Sequence, residues 1–586
     1  MYHIIRKKAG EPNEKQIGEI QTKLDATCRE RDENRRGGYL CVGSAGVISS
    51  PIQELKRKLF QNQILLAALL GLATLLLFAP AARFDFLNYD DLKYVTRNPH
   101  VNTGLNVPNV LWAFSNLYEA NWDPITWISH MLDCQLFGLH AGWHHMVNVA
   151  IHVANSILLF VILQKATDAT QRSLFVAALF AVHPLNVENV AWIAERKSLL
   201  SAFFSLLTVA AYGWYLQNPD WKRYLGVACA FAMALMAKPM AVSLPVVLLV
   251  LDFWPMHRYE QLPFFSRLAS CLKDKWPLLV LGAADSAVTV IAQRTGGALA
   301  GLAQLSISAR FQNASVACAT YIYKLFWPSK LAVLHPMHPY SQSKVGFAVL
   351  ALVAISLLVL RFRRIHYLVA GSLIFLITLI PVVGIVQIGS NAMADRFAYI
   401  PYIGLYIIAA WGLRDLARLT RLPQYLVPLL ALSAILALSS VTARYLQNWR
   451  NGVTLFTEAS RVSDQPNDII EEGLGDALLF AGQPDVAYGH YARACALNPT
   501  LALCHVNMAD ILYEHHQLWD ALGQYEIGAR LSGDKVLVVY CLTNSGKILI
   551  TLGNYRSAYD VLNSALKLDP ANPEAKTQLQ NLYRQP

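Results

Sequence analysis

From Gln63 to Ala82 the chain is apolar for about 20 residues, enough for one helical crossing of a bilayer. Comparable runs follow at roughly 143–164, 173–186, 198–217, 223–238, 239–256, 276–292, 345–360, 366–384, 397–413 and 425–442, so eleven spans are expected in all. The loops assigned to the inner side are basic: Lys165/Arg172, Lys222/Arg223, His257 through Lys275, Arg361 to Arg364, and Arg414 through Arg421. With Lys56-Arg57-Lys58 before the first span, this places the N-terminus in the cytoplasm and the C-terminus outside. Ala314 to Trp327 is apolar but short. As a span it would move Arg361 to Arg364 outside, so it is expected to be an outer interfacial or re-entrant helix.

The composition agrees. Of 586 residues, 55% are hydrophobic and 15% charged, too apolar for an ordinary soluble chain. A net charge of +10 suggests nucleic acid, but the basic residues lie mostly in short loops between apolar runs, so no nucleic-acid partner is expected. Residues 1–57 mix charges with few apolar residues and read as a cytoplasmic, largely disordered leader. The first apolar run starts too late for a signal peptide, so it is expected to be an uncleaved anchor. Nine cysteines without C-x-x-C spacing argue against a sulfur-bound metal. Cys495 and Cys504 are close enough in sequence for a disulfide if their domain is exported, but buried free thiols are the favoured reading.

Just after the first span comes Phe84-Asp85-Phe86-Leu87-Asn88-Tyr89-Asp90-Asp91. Adjacent carboxylates are costly beside lipid and are expected to face a water-filled pocket. Asp90 and Asp91 point in different directions, so one can act as a base while the other positions it. A base at a membrane face suits an enzyme whose substrate is partly lipid.

From about Ser463 the chain becomes soluble in character and periodic. Gly475, Ala487, Tyr491, Ala494 and Pro499 recur as Ala509, Ala521, Tyr525, Gly528 and Gly533, then as Gly546, Ala558, Leu562, Ala565 and Pro570. The units step by 34 and then 37 residues. This pattern resembles the tetratricopeptide repeat, an α-solenoid of paired helices. It predicts a concave docking surface, with a rigid structural cap as the plainer alternative.

Polar residues interrupt the spans. His145, Asn148, His152 and Asn155 share one helical face, read either as interhelical hydrogen bonding or as a cavity wall. His144 and His145 are metal-ligand types without a fixed partner. Glu188, Trp192 and Glu195 fall on one face if their segment is a single helix, with Arg196 beside them. A carboxylate and a guanidinium under an aromatic suit a sugar or phosphate, and equally a structural salt bridge. Lys238, Arg294 and Arg396, the last within Met393 to Tyr399, lie at outer loops. Converging, they would hold the phosphate of a lipid-linked donor; singly, each reads as an interfacial anchor.

Taken in order, the N-Y-D-D loop, the H-P-x-x-V-E-x-V-A-W-x-x-E-R segment, the A-D-R-F-A-Y-I-P segment and the repeat tail resemble the transmembrane and tetratricopeptide-repeat O-mannosyltransferases. More broadly they resemble protein O-mannosyltransferases of the GT-C class. The likeness covers about residues 60–586 and suggests a bacterial relative. It implies an all-α protein: a GT-C-type membrane domain over 58–445, then a non-cytoplasmic repeat domain over 446–586. It also implies inverting transfer of a mannose-like sugar from a polyprenyl phosphate to hydroxyls of an exported protein held by the repeats, at a bacterial inner membrane or in the endoplasmic reticulum lumen. Asp90 stands at the family's catalytic acidic position, with Asp91 beside it. Glu188, Arg196, Lys238, Arg294, Asp395, Arg396, His145 and His152 are the expected donor- or substrate-binding residues. No metal is expected, with a divalent ion left open. Lys197-Ser198 and the Pro after Lys238 depart from the repeat-bearing relatives, which leaves the sugar open. A transferase acting on a lipid or glycan, and a non-catalytic scaffold, are the other readings.

Overall fold

A bilayer-length run satisfies its backbone internally as helix, and helix dominates the computed structural model. The structure describes residues 51–296, 306–337, 339–385, 391–423 and 425–583, with side chains from residue 62. Most of the expected leader lies outside these residues. Its last part, from Pro51, is already the start of α1 (Pro51–Phe78). The strands among the described residues are His335–Pro336 and Asn391–Met393, paired antiparallel.

Among the described residues, six helical stretches are long and apolar enough to cross a membrane: Asn62–Arg83, Ala141–Thr167, Ile193–Gln217, Trp276–Thr295, Gln342–Arg361 and Leu426–Trp449. A seventh arises if the bent pair Thr170–Val182 and Pro184–Ala191, at 53°, is one span. The remaining expected spans are helical but short, broken or less apolar, such as Pro239–Phe253 and His366–Leu379. Ile307–Phe326 contains the ambiguous apolar segment and is not among the candidate spans; its Arg310, Gln312, Asn313 and Lys324 make it too polar.

The site is positioned by α2 (Pro124–Phe137), α3 (Ala141–Thr167), α4 (Thr170–Val182), α5 (Val187–Ala191), α6 (Arg196–Gln217) and α7 (Trp221–Ala237). Helix α3 is the hub. Its polar stripe of His145, Asn148, His152 and Asn155 is fully buried against neighbouring elements. Nearby, α8 (His366–Leu379) and α9 (Pro401–Leu419) cross at Gly371 and Gly404. A Cβ on either glycine would meet the other's carbonyl oxygen, at 2.3–2.5 Å, so only glycine permits the crossing.

The last spanning helix leads into α10 (Gly452–Val462), then the pairs α11 (Asp468–Phe480) with α12 (Pro484–Leu497), α13 (Ala502–Glu514) with α14 (Leu518–Leu531), and α15 (Lys535–Thr551) with α16 (Tyr555–Leu568). The small residues of the periodic pattern have a packing cause. A Cβ on Gly475 would lie 2.7 Å from the Tyr491 ring, and one on Gly546 2.5 Å from Leu562. The Tyr491 hydroxyl donates to Asp476 at 2.7 Å, and Tyr525 repeats the bond to Asp510. Cys495 and Cys504 form a disulfide joining α12 to α13, which corrects the expectation of free thiols; Cys541 is free and buried.

The expected boundary near residue 446 is not a break in the packing. One apolar core runs from Phe78 and Trp192 through Trp449, Phe456 and Ala477 to Ile511.

Candidate active site

The acidic loop is pinned from below and from the side. The Asp85 amide donates to the Arg450 carbonyl at 3.0 Å, and the Asn88 amide group to the Gly473 carbonyl at 3.3 Å. Tyr89 stacks on Trp192, with centroids 5.4 Å apart, and meets Phe456 edge-on at 5.8 Å. Asp91 is fully buried and accepts from the backbone amides of Leu87 at 3.0 Å and Ala194 at 2.9 Å. Burial pushes its carboxyl up to about 7, against the pull of those two amides. Asp90 turns the other way. It is partly exposed and makes no hydrogen bond or close ion pair among the described residues. Burial raises its carboxyl above the ordinary range, opposed chiefly by Lys197 and Arg396.

Facing it is a cluster built on a broken helix. The expected single helix through Glu188 and Glu195 is interrupted at Trp192, whose backbone is extended (φ −86°, ψ 118°). Asn148 of α3 donates to the Trp192 carbonyl at 2.9 Å, alongside the Glu195 amide at 3.2 Å, which braces the break. Glu188 and Glu195 still converge, because both reach Arg396. Glu188 accepts from the Arg396 amide at 2.9 Å and from its guanidinium, and Glu195 lies 3.3 Å from its Nε. The guanidinium also lies over the Trp192 ring at 5.3 Å. Helix α7 ends at Ala237, leaving Lys238 in extended backbone. Its Nζ reaches Glu195 at 3.0 Å and Ser198 at 2.7 Å. Lys197 completes the set, 3.2 Å from the Tyr94 hydroxyl and 4.0 Å from Glu195. Three cations thus share two carboxylates, Glu188 and Glu195, at the mouth where Asp90 is free.

The other expected residues lie elsewhere. Arg196 is fully buried on the far side of α6, bonded to Asp133, Asn148, the His144 carbonyl and Ser129, so its donors are filled by the scaffold. Successive helical residues point about 100° apart, and the neighbouring Lys197 faces the site instead. Asp395 turns away from Arg396. It is held by Lys324 at 2.6 Å, His335 at 3.3 Å and the Ala332 amide at 3.2 Å. His145 bonds the Asp85 carbonyl at 3.2 Å; His152 bonds the Tyr399 hydroxyl at 2.7 Å and the Ala181 carbonyl at 3.1 Å. Both brace backbone. Arg294 is exposed and makes no hydrogen bond or ion pair with the cluster. His130, Asp133 and His144 offer ligand atoms within 4.8 Å of one another, but the Arg196 guanidinium on Asp133 disfavours a cation there. The sequence placed Glu195 on the candidate face with Glu188 and Trp192, but it did not single out Lys197 or Asp123. Lys197 lies beside Arg196 in the same E-R-K segment.

No protein-family model matches the chain. It is similar to Protein O-mannosyl-transferase Tmtc1 of Drosophila melanogaster, at 27% identity over 26% of this chain and 19% of that protein. Protein O-mannosyl-transferase TMTC1 of Mus musculus is 30% identical over 25% of this chain and 16% of its own length. TMTC3 of Mus musculus, also named a protein O-mannosyl-transferase, is 22% identical over 72% of this chain and 50% of its own length. These likenesses are to the TMTC protein O-mannosyl-transferases. The chain spans half or less of the length of these relatives, and its apolar helices make it an integral membrane protein.

Proposed function

We propose that this protein, like its O-mannosyl-transferase relatives by name, transfers a mannose-like sugar from a polyprenyl phosphate to hydroxyls of an exported protein. The observation that carries this is Asp90: a carboxylate without a hydrogen-bond partner among the described residues, beside three cations, on a loop locked by its neighbour Asp91. Asp90 takes the proton of the acceptor hydroxyl as that oxygen attacks the anomeric carbon. The bond from that carbon to the phosphate oxygen breaks, and the phosphate leaves with the electron pair. Its charge is met by Lys197, Lys238 and Arg396, which exchange part of their pairing with Glu188 and Glu195 for the phosphate. Attack from the face opposite the leaving group inverts the anomeric centre. An apolar cleft lined by Leu163, Phe180, Leu206, Met240, Leu244 and Ile407, Met240 being two residues after Lys238, suits a prenyl chain.

In this reading the protein is a GT-C-type enzyme with eleven crossings, some made by short helices. Residues 58–445 carry the chemistry, and the tetratricopeptide-like pairs of 446–586 hold the acceptor. The active site and repeats lie outside the cytoplasm; the Cys495–Cys504 disulfide suits an oxidising compartment. The test is transfer by full-length protein, reconstituted with polyprenyl-phosphate mannose and unfolded exported polypeptides, read by mass mapping. Hexose on serine or threonine is expected. A lipid or glycan product without modified protein would reassign the acceptor, and no transfer from any polyprenyl-phosphate sugar would overturn the reading.

A further inference from the structure

A second carboxylate in the same wall is not used by the mechanism above. Asp123 opens α2 with its side chain 2% exposed. Both its carboxylate oxygens are buried, and neither has a hydrogen-bond partner among the described residues. It does not cap its helix; the amides of Thr126 and Trp127 bond the Asp123 backbone carbonyl instead. A buried carboxylate that accepts nothing is costly to keep. Its surroundings show where it lies. Asn121 donates to the Tyr94 hydroxyl at 3.2 Å, which Lys197 also reaches, and Tyr94 stacks on Trp127 at 4.5 Å. Thr126 bonds the carbonyl of Ala237, the residue before Lys238, at 3.1 Å. The turn carrying Asp123 therefore bridges the two lysines that flank Glu195. Burial lifts its carboxyl to about 6, with Lys197 and Lys238 the strongest opposing charges.

The chemistry narrows the ligand. A metal ion or a basic peptide side chain would add positive charge beside Lys197, Lys238 and Arg396. A phosphate would be repelled by Asp123 itself. Neutral hydroxyl donors are not, and two neighbouring ring hydroxyls match the two oxygens of one carboxylate. We propose that Asp123 is the specificity residue that reads the donor sugar, accepting hydrogen bonds from its ring hydroxyls while the lysines hold the phosphate. This rests on the lipid-linked-sugar reading above.

The test uses full-length wild type, Asp123→Asn and Asp123→Ala in detergent. Binding is measured with polyprenyl-phosphate mannose and with sugar-free polyprenyl phosphate, alongside thermal unfolding at pH 8. Both variants are expected to bind the sugar-free lipid within about twofold of wild type. The sugar-bearing lipid should weaken roughly 10- to 100-fold, the range for one lost charge-assisted bond or slightly more. Asp123→Asn should melt at or above wild type, because it removes an unpartnered buried charge. Equal losses for both lipids with a lower melting point would make Asp123 structural. Unchanged sugar-lipid binding would overturn the proposal alone. Wild-type binding abolished by chelator and restored by Mg²⁺ or Mn²⁺, with Asp123→Asn indifferent to both, would make it a metal ligand. Wild type that binds neither lipid would overturn the donor reading as well.

Discussion

Asp90 and Asp91 are chemically identical neighbours with opposite environments: one is free at the mouth, the other clamped by two backbone amides. The division has a pH consequence. A base must be deprotonated, and burial raises Asp90, so transfer should fall on acidification above the ordinary carboxylate range. A rate flat down to about pH 4.5 would place the base elsewhere. Arg196 supports a second expectation. Asp133→Asn strands a fully buried guanidinium and should cost about 3–5 kcal/mol of stability, read by denaturation in detergent. An unchanged melting point would mean that the other Arg196 partners suffice. The acidic pair, Glu188, Lys238 and Arg396 were legible because charges in an apolar chain stand out. The choice between Arg196 and Lys197 was not, because adjacent residues of the same charge differ only in the direction that packing gives them.

Among elements, the broken connection at Trp192 was hidden for a related reason. Val187 to Lys197 holds neither glycine nor proline, so its pattern reads as continuous helix. The break is braced from outside, by Asn148 on the Trp192 carbonyl and Tyr89 on the indole. The polar stripe of α3 was legible as one face, and its partners are mainly backbone groups of the site. A similar coupling joins α10 to the acidic loop. A Cβ on Gly452 would fall 1.7 Å from the Asn88 side-chain oxygen. Gly452→Ala should displace the loop and lower transfer by roughly tenfold or more, given how steeply rate depends on placement. Asn88→Ala in the same chain should restore part of it by making room. Full activity in Gly452→Ala alone would show that the loop yields freely.

For the molecule as a whole, apolar runs announced a helical membrane protein, and small-residue spacing announced the helix pairs. The seam between them was not legible, because a shared core leaves no mark in composition. That core changes what truncation should do. Cutting after Arg450 removes Phe456 and Gly473 from the acidic loop, so donor use should be lost along with acceptor modification. Cutting after Ser532 spares both contacts, so donor binding should survive while protein modification falls. Donor binding that survives the first cut, measured on folded protein, would make the two parts independent. The most direct measurement of the central claim is Asp90→Asn in the reconstituted full-length protein, read for donor binding and transfer together. The account predicts donor binding within a few-fold of wild type and transfer lost by at least about a hundredfold, the usual scale of a positioned base. Transfer within a few-fold of wild type would contradict it.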